Sequence, residues 1–139
     1  MRFMSKIRSA AVLATSSAAL VAVLPMTAAN ASTGNVCVTG SNGWKVCLNI
    51  SGSGSHIDSF KGWAENQTTI RWNNLHIELT GPNGKIKNCA AFSLDNGKIG
   101  PACTWSPNAT ETFGSYCTIL WWHFGGTTYN EEGEKCANG

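Results

Sequence analysis

The sequence carries no basic stripe, no P-loop, no GxSxG elbow, no HExxH pair and no CxxC spacing. Each absence narrows the function. Without Lys and Arg gathered on one face there is no electrostatic footprint for nucleic acid or an anionic membrane. Without the catalytic motifs, nucleotide binding, α/β-hydrolase and zinc-peptidase chemistry lose their usual signatures. Helix signals are nearly absent after Ala31, and no stretch repeats at a fixed period, which excludes a solenoid.

What is present begins with a leader. Arg2, Lys6 and Arg8 form a positive start, and Ala10 to Leu24 is apolar and small apart from Thr15, Ser16 and Ser17. Pro25 breaks the run and Ala29-Asn30-Ala31 is a small-x-small cleavage signature. The apolar run is too short, and too polar at its centre, to span a bilayer comfortably. Residues 1–31 are therefore predicted to be a signal peptide, and residues 32–139 a single secreted domain with no membrane attachment after cleavage. The leader holds three of the ten Lys and Arg, so the remainder has seven cations against eight acids, net −1. A domain of this size builds only a modest core and gains from staples.

All six cysteines lie after the leader: Cys37, Cys47, Cys89, Cys103, Cys117 and Cys136. In an oxidising compartment they imply three disulfides, with fifteen possible connectivities. Cys37 and Cys47 are equidistant from Asn42 in Ser41-Asn42-Gly43, and Cys89 and Cys103 from Asn96 in Asp95-Asn96-Gly97. Cys117 and Cys136 are symmetric about Gly126-Thr127. Asn-Gly and Gly-Gly steps supply the positive φ of tight hairpin turns, and residues symmetric about such a turn face each other. The expected pairs are 37–47, 89–103 and 117–136, each as a cross-strand hairpin bridge. Gly100-Pro101 weakens the second, because it can divert the chain before Cys103.

Short alternating runs separated by Gly, Asn, Ser and Pro predict strands near Asn35–Thr39, Trp44–Ile50, His56–Glu65, Thr69–Leu79, Lys85–Phe92, Ser115–Phe124 and Thr128–Cys136. About seven strands at this spacing predict an all-β, disulfide-stapled, Ig-like two-sheet sandwich, with a compact barrel as the alternative. Ser51–Ser55 reads as a long turn, and Gly100–Thr112 as an irregular loop tethered by Cys103.

Tyr116 to Phe124 holds the most functional information. On a strand Ile119, Trp121 and His123 share one face, and Leu120, Trp122 and Phe124 the other. A sandwich strand alternates apolar and polar, yet this one is apolar on both faces. One Trp enters the core; the other needs a cover from a loop or terminus of the same chain, a protein partner or a sugar ring. With Trp44, Trp63, Trp72 and Trp105 the chain has six tryptophans, more than one small core absorbs. Trp121, Trp122, Phe124 and Trp105 are the candidate partner-binding residues.

The titratable groups read as solvated pairs. His56 with Asp58, and His76 with Glu78, each share a strand face and could form a general-base pair, with Ser53, Ser55 or Ser59 imaginable as nucleophile, but a solvated polar face is the expected reading. Glu131, Glu132 and Glu134 lack an EF-hand pattern and read as a solvated hairpin face. No cofactor, metal or catalytic residue is expected. Asn49, Asn66 and Asn108 begin glycosylation sequons, which matter only if the producing cell has that machinery.

Gly62-Trp63-Ala64-Glu65-Asn66, Leu75-His76-Ile77-Glu78-Leu79-Thr80-Gly81-Pro82-Asn83-Gly84, and Gly114-Ser115-Tyr116-Cys117 with Leu120-Trp121 and Gly133-Glu134-Lys135-Cys136 carry a resemblance. The chain resembles small secreted proteins of Streptomyces-like actinobacteria, among them the adaptor subunit of secreted umbrella toxin particles. That resemblance implies a β-rich adaptor joining lectin subunits to a repeat-containing toxin subunit, and non-covalent assembly rather than catalysis. The expectation is a non-enzymatic, secreted protein–protein interaction module. Two alternatives stand beside it: a lectin-like domain that binds glycan through exposed Trp, and an inhibitor of an extracellular hydrolase that inserts the Gly100–Asn108 loop.

Overall fold

The computed structural model describes residues 32–125 and 128–139. The expected leader lies outside the described residues. Ten strands form among the described residues: β1 (Gly34–Thr39), β2 (Trp44–Ser53), β3 (His56–Asn66), β4 (Trp72–Gly81), β5 (Gly84–Asn88), β6 (Phe92–Leu94), β7 (Cys103–Trp105), β8 (Ala109–Thr110), β9 (Ser115–His123) and β10 (Tyr129–Asn138). The first sheet runs β1-β2-β3-β7, with β8 also against β3. The second runs β10-β9-β4-β5, with β6 also against β4. The protein is thus an all-β, two-sheet sandwich of the Ig-like kind.

Period-2 alternation places the core. Trp44, Val46, Leu48 and Ile50 of β2 and Phe60 and Ala64 of β3 point inward from one sheet. Leu75, Ile77 and Leu79 of β4 and Tyr116 and Leu120 of β9 answer from the other. Fully burying each such side chain contributes about 1.5–3 kcal/mol. The sheets come closest where Gly62 faces Thr118: a Cβ at Gly62 would strike the Thr118 side chain. Thr118 is itself buried, and its hydroxyl has no hydrogen-bond partner among the described residues.

The strand count exceeds seven for two reasons. The expected strand over Lys85–Phe92 is interrupted at residues 89–91, giving β5 and β6. The expected irregular loop Gly100–Thr112 instead supplies β7 and β8, which pair with Phe60–Gly62 and His56–Ile57. Its backbone completes the first sheet's edge, so residues 103–105 are no free inserting loop. The expected long turn at Ser51–Ser55 is also corrected. β2 continues to Ser53, and the turn is only Gly54-Ser55, with Gly54 at φ 58° and a bulge at Ser51/Gly52. Gly52 is required there, because a Cβ would strike the His56 carbonyl.

β4 starts at Trp72 rather than Thr69, because buried Asn66 organises the preceding turn. Its Nδ2 donates to the Ile70 and Leu94 carbonyls at 2.9 and 3.0 Å. Its Oδ1 accepts from Thr68 N and Oγ1 at 2.9 and 2.6 Å. With 0% exposure, this sequon asparagine is closed to glycosylation in the folded protein.

Three disulfides staple the sandwich. Cys37–Cys47 and Cys117–Cys136 join directly opposed residues of β1/β2 and β9/β10, each with Cα atoms 4.1 Å apart. Cys89–Cys103, with a Cα separation of 5.7 Å, is no hairpin bridge. β6 pairs with β4 while β7 pairs with β3, so this bond ties the edge of one sheet to the edge of the other. The turn at Asp95–Gly97 closes locally, with Lys98 N donating to Asp95 O, and Gly97 N donates to Asn66 O, which leads the chain across to the first sheet. Among the described residues no helix is long and apolar enough to cross a membrane. The three disulfides are consistent with an oxidising compartment.

Candidate functional site

β9 distributes its aromatic side chains to two surfaces. Trp122 points inward at the end of the sandwich, opposite Leu75 of β4. There a row of rings climbs from the core to the surface. Trp44 meets Trp72 at 5.7 Å and 73°, Trp72 meets Trp122 at 4.7 Å and 77°, and Trp122 meets Phe124 at 4.9 Å and 56°. The first two contacts are edge-to-face, a geometry that adds about 0.5–1.5 kcal/mol per pair beyond area burial. The Trp72 indole N–H donates to Thr68 Oγ1 at 3.0 Å, which anchors the ring to the Asn66 turn.

The row ends in the open. Phe124 is 64% exposed and Ile70 57% exposed. Between them lies a groove of about 330 Å³, floored by Trp72 and Trp122. Its rim is polar: Arg71 pairs with Asp95 at 2.7 Å.

The outward residues of β9 build a different surface. Trp121 lies opposite His76 of β4 and Glu131 of β10, and His123 opposite Tyr129. Tyr129 stacks on His123 at 4.7 Å and 19°, and meets His76 edge-on at 5.4 Å and 89°. Trp121 is half-buried, and its indole N–H is shielded from solvent without an acceptor. Trp121 is thus flanked by neighbouring strands of its own sheet, and no loop or terminus among the described residues is seen to cover its outer face. Burial holds the His76 imidazole below its usual range; Lys85 and His123 push the same way and Glu78 opposes.

No protein-family model, curated protein or solved structure matches this chain. The functional reading therefore rests on the side chains themselves.

The four expected partner-binding residues do not form one patch. Trp122 and Phe124 meet at the aromatic groove, and Trp121 lies on the outer face of the same strand. Trp105 packs at the opposite end of the sandwich, near Pro82, Glu111 and Tyr116. Ile70 and Trp72 complete the groove. Sequence reasoning missed them because nothing in the sequence states that β4 lies beside β9.

The histidine pairs resolve into different settings. His56 Nε2 lies 3.2 Å from Asp58 and 3.0 Å from Asn108 Oδ1. Glu78 is paired with Lys85 at 3.4 Å. The acidic hairpin face is split by a bulge between Glu131 and Gly133. Glu131 and Glu134 remain exposed, whereas Glu132 turns toward the first sheet, where Asn42 Nδ2 donates to its carbonyl at 2.7 Å. Burial raises the Glu132 carboxyl pKa, opposed by a hydrogen bond from Asn42.

Proposed function

We propose that the protein is a secreted, non-enzymatic protein-interaction module, an adaptor joining lectin and repeat-containing toxin subunits in an extracellular complex. The observation that carries the docking part is the aromatic groove. Two large apolar side chains, Phe124 and Ile70, stand exposed on either side of a preformed floor of two interlocked indoles. Rigid aromatic pockets with a polar rim are where binding energy concentrates in protein interfaces. The occupant we propose is an apolar side chain of a secreted protein partner, inserted between Phe124 and Ile70 onto Trp122. The adaptor part rests on the sequence resemblance, and secretion on the leader together with the disulfides.

The test is mild affinity purification of the tagged protein from the culture fluid of its own producer. Co-purification of a large repeat-containing chain and lectin-like chains in fixed ratio is expected, with loss of both in Phe124→Ser. Recovery of the wild-type protein alone would count against the adaptor.

A further inference from the structure

The outer face of the second sheet carries features that partner docking at the groove does not use. A sandwich face turned to solvent is normally polar and smooth. This one holds four rings, His76, Trp121, His123 and Tyr129, gathered across β4, β9 and β10. Two hollows of about 270 and 250 Å³ meet there and share His76, Asn88 and Tyr129. Each approaches the lower end of the range for small-molecule pockets, about 300 Å³.

The chemistry of the lining selects a ligand. Asn74 and Asn88 flank the rings, and neither side-chain amide is engaged by another described residue. Each amide offers two donors and an acceptor. Asn74 is held outward at φ 57°, where the pairing of β4 with β6 is irregular. The charged groups cancel: Glu78 and Lys85 neutralise each other, and Glu131 opposite Trp121 adds a negative charge that repels anions. Among the described residues the lining holds no aliphatic side chain larger than Ala91, which disfavours an apolar peptide anchor. Ring surfaces beside free amides, with no net positive charge, match a molecule that has apolar C–H faces and a rim of hydroxyls. A hydroxyl both donates and accepts, as an amide does.

We infer that this cleft binds a neutral saccharide, with the aromatic side chains of Tyr129 and Trp121 against the sugar ring and Asn74 and Asn88 bonded to its hydroxyls. The inference does not rest on the adaptor reading: Phe124 and Ile70 line the neighbouring groove and not this cleft, while Asn74 and His123 border both.

The test is an ¹H–¹⁵N NMR titration of the oxidised protein. The probes are neutral tetrasaccharides of glucose, mannose, galactose and N-acetylglucosamine, with a heparin-derived tetrasaccharide as the charged comparison. Saturable shifts at His76, Asn88, Tyr129 and the Trp121 indole are expected with at least one neutral probe. Asn88→Ala and Tyr129→Ala should each weaken that binding about tenfold. Phe124→Ser should leave it unchanged. Asn88 is exposed on an edge strand, so its variant keeps the test usable if Tyr129→Ala misfolds. No saturable shift with any neutral probe, shifts confined to the Phe124 groove, or saturation by the charged probe alone would overturn the inference.

Discussion

Trp72 of β4 and Trp122 of β9 meet edge-to-face with centroids 4.7 Å apart, joining two adjacent strands at the open end of the sandwich. This pair is both the last layer of the core and the floor of the groove. Trp122→Ala should therefore cost stability, about 3 kcal/mol, at the low end for aromatic truncation because the ring is only half-buried. Phe124→Ser should stay within about 0.5 kcal/mol of wild type, since its ring is largely solvated. Urea unfolding of both variants, read beside partner capture, separates stability from docking.

Thr118 buries a hydroxyl without a partner against Gly62. Thr118→Val removes that unsatisfied group at nearly constant shape, and should raise stability by about 1 kcal/mol. Gly62→Ala should lower it by about 1–3 kcal/mol through overpacking. A fall in the Thr118→Val urea midpoint would show that the hydroxyl has a partner.

Cys89–Cys103 closes a separation of 14 residues between the two sheets. Replacing both cysteines by serine should cost about 3 kcal/mol on chain-entropy grounds. The change should be local: amide exchange should quicken in β5, β6 and β7 while β9 and β10 keep their protection. Uniform acceleration across the protein would argue against a clamp confined to the sheet edges.

His76 gives a pH dependence with a definite sign. Its folded pKa lies below its unfolded value of 6.5, mainly through burial, so the unfolded chain binds the proton first. Stability from this group is present above pH 6.5 and is lost as pH falls from there through the folded pKa. The difference in urea midpoint between pH 7.5 and pH 5, both chosen to bracket the transition at about 6.5, should shrink in His76→Gln. Glu132, whose pKa is raised, contributes in the opposite sense: its burial costs stability once the carboxyl ionises. Glu132→Gln should thus be neutral or slightly stabilising at pH 7.

The fold was legible because period-2 alternation is strong in Trp44–Ile50 and Leu75–Leu79, and because Asn-Gly and Gly-Ser steps mark where strands reverse. Bulges were less legible. The one at Glu131/Gly133 inserts a residue into β10 and turns Glu132 away from Glu131 and Glu134, and its local signal is the lone Gly133 inside the strand. The equal spacing of Cys89 and Cys103 about Asn96 also misleads, because the chain leaves the hairpin path right after the Asp95–Gly97 turn and runs along β3 from Gly97 to Gly100. The groove was half legible. Trp122 and Phe124 declare themselves by apolarity on a strand that should alternate. Ile70 and Trp72 reach them only through the β4–β9 pairing, a long-range relationship outside any sequence window.

The ladder of rings from Trp44 to Phe124 has an optical consequence. Three indoles held 5.7 and 4.7 Å apart at steep angles couple their transition dipoles, so the folded protein should show a strong near-ultraviolet circular dichroism signature. One end of that coupled set is buried at 1% exposure and the other is capped by Phe124 at the surface. Whatever settles on Phe124 and tilts Trp122 thereby changes a signal that extends into the core, so the domain reports its own occupancy without a label.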